Sequence, residues 1–255
     1  MLHAGEIRET NNCGKIEILG PAGFTEDGHK LYKVKFIQTG YTTEVSESQI
    51  RHKRVKDKLY PSVCGVGCIG RFETNVTDSF VWIFYRTWAD MMHRCYNPND
   101  KAYDKYGGIG VVVDISWWSF DNFFRDAQQL PGIEKKLERP DIYQLDKDYK
   151  QTNVPKNQRV YSKETCMWIS GPDNILLMNI EYGSESGYMG VYYRDNGWVC
   201  RISNKSYGKF TKPEAAANMY NHIYPIIKGR FNDLDFRNDV KYIPMHELYK
   251  YAIRS

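Results

Sequence analysis

The residues of this chain best placed to do chemistry are three consecutive charges, Asp146, Lys147 and Asp148, delivered by a short alternating run, Ile142-Tyr143-Gln144-Leu145. Two carboxylates around an ammonium could move a proton or grip a phosphate, and a solvated strand end with internal salt bridges would use the same residue types. The residues downstream decide how the triplet is held. Asn153, Pro155 and Asn157 mark a loop. Thr165 to Ile169 reads as a second strand, and Ser170, Pro172 and Asp173 fit a helix-capping signature before the apolar run Ile175-Leu176-Leu177-Met178. The order is strand, loop, strand, helix, with Asn174 in the first turn of the expected helix.

Composition narrows the setting. The 255 residues carry 35 Lys+Arg against 31 Asp+Glu, a net charge of +4, so a nucleic-acid surface must come from local clustering. Aromatic residues make up 15%, with 20 Tyr and 6 Trp, which argues against disorder over most of the length. Of the six cysteines only Cys64 and Cys68 are close together, a weak zinc pattern, and buried thiols in a reducing compartment are expected. The first ten residues have no apolar signal region and no run approaches about 18 apolar residues, so the expected location is cytoplasmic, with no membrane partner.

Along the chain, Lys15 to Leu19, Leu31 to Ile37 and Tyr41 to Val45 read as strands separated by Gly- or Pro-containing turns. Next comes the most basic window, Gln49 to Lys58, in which Arg51, Lys53 and Arg54 would suit either DNA phosphates or a plain solvated surface. Val81 to Tyr96 reads as a helix whose Trp82, Tyr85, Trp88, Met92 and Cys95 recur at helical spacing, a core stripe. Lys105 with Gly107 and Gly108 forms a turn that could approach a phosphate, leading into a strand from Ile109 to Val113. A second amphipathic helix starts at Ser119, carries Phe120, Phe123, Phe124, Ala127 and Leu130, and stops at Pro131-Gly132. Gly190 to Arg194, Gly197 to Ile202 and Tyr207 to Phe210 then make three short strands, the first two joined by a tight Asp195-Asn196-Gly197 turn, with a helix from Thr211 to about Lys228. The tail ends in a helix over Met245 to Arg254.

Several of these stretches carry family resemblances. Leu145 to Asp148 (LDKD), Tyr161 to Cys166 (YSKETC) and Asn174, in a strand-strand-helix order, resemble the metal centre of phage HNH homing endonucleases. Arg94 to Asn97 (RCYN) and Tyr103 to Val111 (YDKYGGIGV) are part of the same resemblance. It implies a catalytic set of Asp146, Lys147, Asp148 and Asn174, with Asp146 and Asn174 as ligands of one Mg2+ or Mn2+. It also puts Lys147 where those enzymes carry a general-base His. A lysine with a pKa of about 10.4 would need a depression of about 3 units, or about 4 kcal/mol, to serve as a base at neutral pH. Flanking carboxylates push the other way, so Lys147 suits a phosphate clamp and Asp148 is the group left to activate water. Gly190 to Arg194 (GVYYR), Gly197 to Ile202 (GWVCRI) and Gly208 to Ala216 (GKFTKPEAA) resemble the plant ethylene-response-factor type of DNA-binding domain. That implies Arg194, Trp198 and Arg201 toward bases and Lys205 and Lys209 on phosphates, although strand alternation alone does not say which residues face outward. The FIQTGY, VKD and PSVCGVGCIG stretches between Phe36 and Gly70 resemble a small β module of phage-encoded proteins.

The expected fold is therefore α+β, in four parts: a small N-terminal β module (1–72), an HNH-like strand-strand-helix (ββα) domain with supporting helices (78–182), a three-stranded antiparallel sheet packed on one helix (186–230), and a helical tail (231–255). The expected function is binding of double-stranded DNA with metal-dependent phosphodiester hydrolysis, in the cytoplasm of an infected bacterium. Two alternatives stand beside it: a non-cleaving DNA-binding regulator with a retired centre, and a phage factor that binds a host protein.

Overall fold

A computed structural model describes residues 2–73, 75–151, 154–174, 185–202, 205–228 and 238–253. The fold is mixed α+β, and the chain divides into two compact units: residues 1–129 with 156–162, and residues 130–155 with 163–255.

The first unit begins with an antiparallel sheet in sequence order: β1 (Ile7–Glu9), β2 (Lys15–Phe24), β3 (Lys30–Phe36) and β4 (Thr42–Ser46). Period-2 alternation sets its two faces. Ile16, Ile18, Tyr32, Val34, Phe36 and Val45 point into one core, closed by Ile50 of the short helix α1 (Glu47–Arg51) and by Val55. The opposite face is a charge ladder in which Lys35 lies across from Glu17 and Lys33 across from Glu44. Ser46 caps α1 through its hydroxyl, and Gln49 returns the bond to the Ser46 amide, a capping box.

Helix α2 (Ser79–Tyr96) starts on an Asp78 cap and packs against α3 (Phe120–Ala127). Its buried stripe is Val81, Phe84, Trp88, Met91, Met92 and Cys95. Helical spacing in the sequence puts Trp82 on this stripe. In the structure Trp82 is exposed and stacks on Tyr85 instead, because one turn of helix offers two overlapping apolar arcs and the one carrying Phe84 faces α3. Phe72, Phe84, Tyr85 and Trp88 meet Phe120 and Phe124 edge-on or tilted, at centroid separations of 5.0 to 5.6 Å. The Trp88 indole donates to the Trp117 carbonyl at 2.7 Å, so its one polar group is satisfied inside the core. The glycine-rich stretch around Cys64 and Cys68 serves this packing: a Cβ at Gly67 would lie 3.0 Å from the Trp88 ring. The strand expected over 109–113 shortens to β5 (Val112–Val113), and it pairs in parallel with β7 (Val160–Tyr161), residues contributed from far along the chain.

In the second unit, helix α4 (Ile133–Glu138) lies against β6 (Tyr143–Asp146) and β8 (Met167–Ser170), an antiparallel pair in the register Tyr143↔Ser170 to Asp146↔Met167. Lys136 of α4 is buried, donates to the Pro140 and Tyr143 carbonyls, and sits over the Trp168 ring at 5.1 Å. Residues 171–174 are helical directly after β8. The expected continuation over Ile175 to Met178 lies outside the described residues.

A second antiparallel sheet comes next, in the order β11-β10-β9, built of β9 (Val191–Tyr193), β10 (Trp198–Ile202) and β11 (Lys205–Phe210). Asp195 and Asn196, both at positive φ, form the two-residue hairpin loop, with Arg194 and Gly197 exchanging backbone bonds. Helix α5 (Pro213–Lys228) covers one face of the sheet. Ala215, Ala216, Ala217, Tyr220 and Tyr224 pack there on Val191, Cys200, Ile202 and Phe210, joined by Met167 and Ile169. The run of alanines lets helix and sheet approach closely. At Gly190 (φ +65°) a Cβ would lie 2.5 Å from the Arg201 carbonyl and 2.6 Å from the Tyr220 ring, so only glycine fits. The tail packs on this unit: Asn218 and Asn221 of α5 bond the backbone of 238–243, and the Ile253 amide donates to the Lys209 carbonyl. The terminal helix is a 3-10 segment, Met245–Tyr251. Among the described residues no helix is long and apolar enough to cross a membrane.

Candidate metal centre and nucleic-acid interface

Asp146 closes β6 and is only 2% exposed. Its Oδ2 accepts from the backbone N–H groups of Asp148 (2.9 Å) and Tyr149 (2.8 Å), which tightens the chain into the 3-10 turn Tyr149–Gln151. Burial pushes the Asp146 carboxyl up to about 6, the Asp148 charge adds to the rise, and the two amides and Lys147 oppose it without cancelling it.

Lys147 opposes that rise only in part, because its ammonium pairs directly with the neighbouring acid. Its side chain is 5% exposed, and Nζ lies 2.8 Å and 3.0 Å from the two oxygens of Asp148, a two-point ion pair within the triplet. An ammonium engaged this way is a donor with no lone pair to accept a proton. Gln151 holds the Lys147 carbonyl at 2.7 Å, and Lys150 donates to the Glu164 and Cys166 carbonyls, so the turn is tied to the approach of β8.

The helical turn after β8 is capped as its sequence predicts. The Asp173 amide donates to Ser170 Oγ at 3.2 Å, and that hydroxyl donates to Asp173 Oδ2 at 2.8 Å. Asn174 then projects back onto β6, where its Nδ2 donates to Gln144 Oε1 at 3.0 Å. Gln144 and Asp146 share a strand face, about 7 Å apart along the strand. The structure thus joins Asn174 to the strand that carries Asp146, but through Gln144, a residue outside the set read from the sequence. Alternation from Asp146 is the signal that could have found it.

Asp146, Asp148, Gln144 and Asn174 carry oxygen donors of the type that hard cations such as Mg2+ or Mn2+ take, but among the described residues the contact that reaches β6 from Asn174 ends on Gln144 and not on the Asp146 carboxylate. No group of three or more His, Cys, Asp or Glu side chains with metal-binding geometry occurs among the described residues.

The β9–β11 sheet resolves the alternation that the sequence left open. Trp198, Cys200 and Ile202 face α5, with Trp198 packed on the core and edge-on to Tyr193 at 5.0 Å. Trp198, which the resemblance implies toward bases, is partly buried on the α5 side of the sheet. The other face carries Tyr192 and Lys209, both opposite Val199, and Arg201 opposite Ser206. Arg201 is exposed and makes no ion pair among the described residues. Arg194, at the hairpin tip, lies 3.8 Å from Asp195, its one ion pair among the described residues, with both side chains exposed. Lys205 is exposed at the start of β11 and lies over the Tyr207 ring at 5.7 Å.

The basic window of the first unit is less available. Arg51 is held by Glu47, its Nε 2.9 Å from the carboxylate, and Lys53 lies 3.6 Å from Glu9. Arg54 is exposed and makes no ion pair among the described residues. With Lys33 and Lys35 balanced by Glu44 and Glu17, this sheet has little net positive face.

No known family model, curated protein or solved structure matches the chain.

Proposed function

We propose that the chain binds double-stranded DNA through the open face of the β9–β11 sheet and hydrolyses a phosphodiester bond at the β6–β8 centre, as its resemblance to phage HNH homing endonucleases implies. The observation that carries this reading is the one-sided sheet. With α5 over one face, the other face, which no element covers among the described residues, bears Arg201 and Lys209 with Arg194 at its hairpin tip, while Lys205, opposite Ile202, is exposed at the start of β11 on the α5 side. The major groove admits a helix or a two-stranded ribbon, and the resemblance to the ethylene-response-factor type of domain implies that this three-stranded sheet would enter it by its uncovered face. Arg201 would read a base edge with its planar fork, and Lys205 and Lys209 would hold phosphates.

At the centre, Asp146 and Asn174 would hold one Mg2+ or Mn2+, which supplies charge stabilisation to the phosphate and a more acidic water. Asp148 would be the carboxylate placed to take up a proton from attacking water. Lys147 keeps the Asp148 carboxylate oriented through its ion pair.

A second reading, DNA binding without cleavage, is favoured by one observation: the side chain beside Asp146 is a buried, ion-paired ammonium in the position of a base. Incubation with supercoiled DNA in Mg2+ or Mn2+, beside Asp146→Ala and Asn174→Ala, separates the two. Nicking by the wild type that both variants lose supports the nuclease. A gel shift without nicking leaves the binding protein, and DNA that neither shifts nor is cut rejects both readings.

A further inference from the structure

Arg94, in the last turn of α2, is half-buried and has no carboxylate within ion-pair distance among the described residues. Its guanidinium carbon lies 5.3 Å from the centroid of the Tyr106 ring and 5.7 Å from that of Tyr161. The two rings are nearly parallel, 6.4 Å apart, and Nε donates to the Asp90 carbonyl at 3.1 Å. The guanidinium thus lies beside the ring pair and hydrogen-bonds Tyr106; a helix C-terminus accounts for a cation at this position, but not for the two rings set against it.

The arrangement is set by backbone, not by chance contact. At Gly107 a Cβ would lie 2.0 Å from the Cys95 carbonyl, so the turn carrying Tyr106 is pressed against the end of α2. At Gly110 (φ +104°) a Cβ would lie 2.8 Å from the Asn157 carbonyl, and Val113 pairs with Tyr161 in the parallel β5–β7 ladder. Three separate pieces of chain are thus locked around one guanidinium. Residues 156–162 add Lys156 and Arg159 and no carboxylate, while Asp104 and Lys105 of the other turn balance each other. The cluster carries a net positive charge inside an electrostatically near-neutral chain.

A partly desolvated guanidinium without an acid partner is costly unless an anion completes it, and its planar fork matches a phosphate. We propose that Arg94, set against the rings of Tyr106 and Tyr161, is a phosphate-binding group of the first unit that takes one backbone phosphate of duplex DNA. The inference rests on the DNA-binding reading only for the identity of the polyanion.

The test is the salt dependence of affinity for a short mixed-sequence duplex, with the full chain carrying Arg94→Gln, Arg94→Lys or Arg201→Ala. Loss of one phosphate contact lowers the slope of log affinity against log salt by about 0.9, so Arg94→Gln should show that drop and Arg94→Lys should retain the wild-type slope. A wild-type slope in Arg94→Gln, while Arg201→Ala weakens binding, overturns the inference and leaves Arg94 as a structural pillar. If the wild-type chain binds no duplex, the DNA reading fails and takes this inference with it. Should Arg94→Gln not fold, phenylglyoxal labelling of the wild-type protein decides the matter by peptide mass spectrometry. Slower modification of Arg94 in the presence of duplex supports the site, and an unchanged rate overturns it.

Discussion

Replacing Asp146 by Asn stabilises the metal-free protein at about pH 7.5 by about 2 to 3 kcal/mol, and the advantage vanishes near pH 4. The cause is the buried carboxyl, pushed up to about 6 from the model-peptide value of 3.8 by burial, then by Asp148. An acid whose folded-state pKa lies above its unfolded value binds its proton more tightly in the folded state. Stability therefore rises as the pH falls from about 6 toward 4, and is lost as the pH rises through the same window. Asparagine keeps an oxygen to accept from the Asp148 and Tyr149 amides but carries no charge to desolvate. Urea unfolding across this pH range, in chelator, measures the effect. The same titration with Mn2+ extends the argument, since a cation held by Asp146 raises the wild-type midpoint and leaves Asp146→Asn unmoved. An Asp146→Asn variant less stable than wild type at neutral pH would mean that the carboxylate is a structural cap and nothing more.

Trp88→Ala destabilises the chain by about 3 to 5 kcal/mol, whereas Trp82→Ala costs less than about 1 kcal/mol. The two tryptophans lie six residues apart on α2 and look equivalent in the sequence. Trp88 is fully buried, packs on Phe120 and Gly67, and satisfies its indole N–H on the Trp117 carbonyl; its removal leaves a cavity and an orphaned acceptor. Trp82 is 42% exposed and touches Tyr85. Denaturant unfolding of both variants checks the contrast. Equal losses would place the α2 core stripe on the wrong arc.

What the sequence made legible was local. The alternation of Tyr32, Val34 and Phe36 announced β3 and its inward face, and Asp195-Asn196-Gly197 announced the hairpin, because a positive-φ pair leaves few other turns. The strand-loop-strand order around Asp146 and the Ser170 cap were readable for the same reason. What stayed hidden depends on distant chain. Period-2 alternation sorts β10 into two sets, but only the position of α5 decides that Trp198 faces the core and Arg201 faces out. Val112 and Val113 form a strand only because residues almost fifty positions later lie beside them. Lys136 reads as a surface residue of a short helix, yet its ammonium closes two carbonyls under Trp168. The Asn174 to Gln144 contact likewise needed the β6–β8 register before it could be seen.

The most direct test of the DNA-binding claim is the affinity of the full chain for duplex DNA over a range of salt, comparing Arg201→Ala with Trp198→Phe. Arg201 lies on the open face and Trp198 on the face covered by α5. The account predicts that Arg201→Ala weakens binding by about 1 to 3 kcal/mol, and that Trp198→Phe leaves the affinity and the salt slope unchanged. Equal affinities for wild type and Arg201→Ala, or a loss confined to Trp198→Phe, would contradict it.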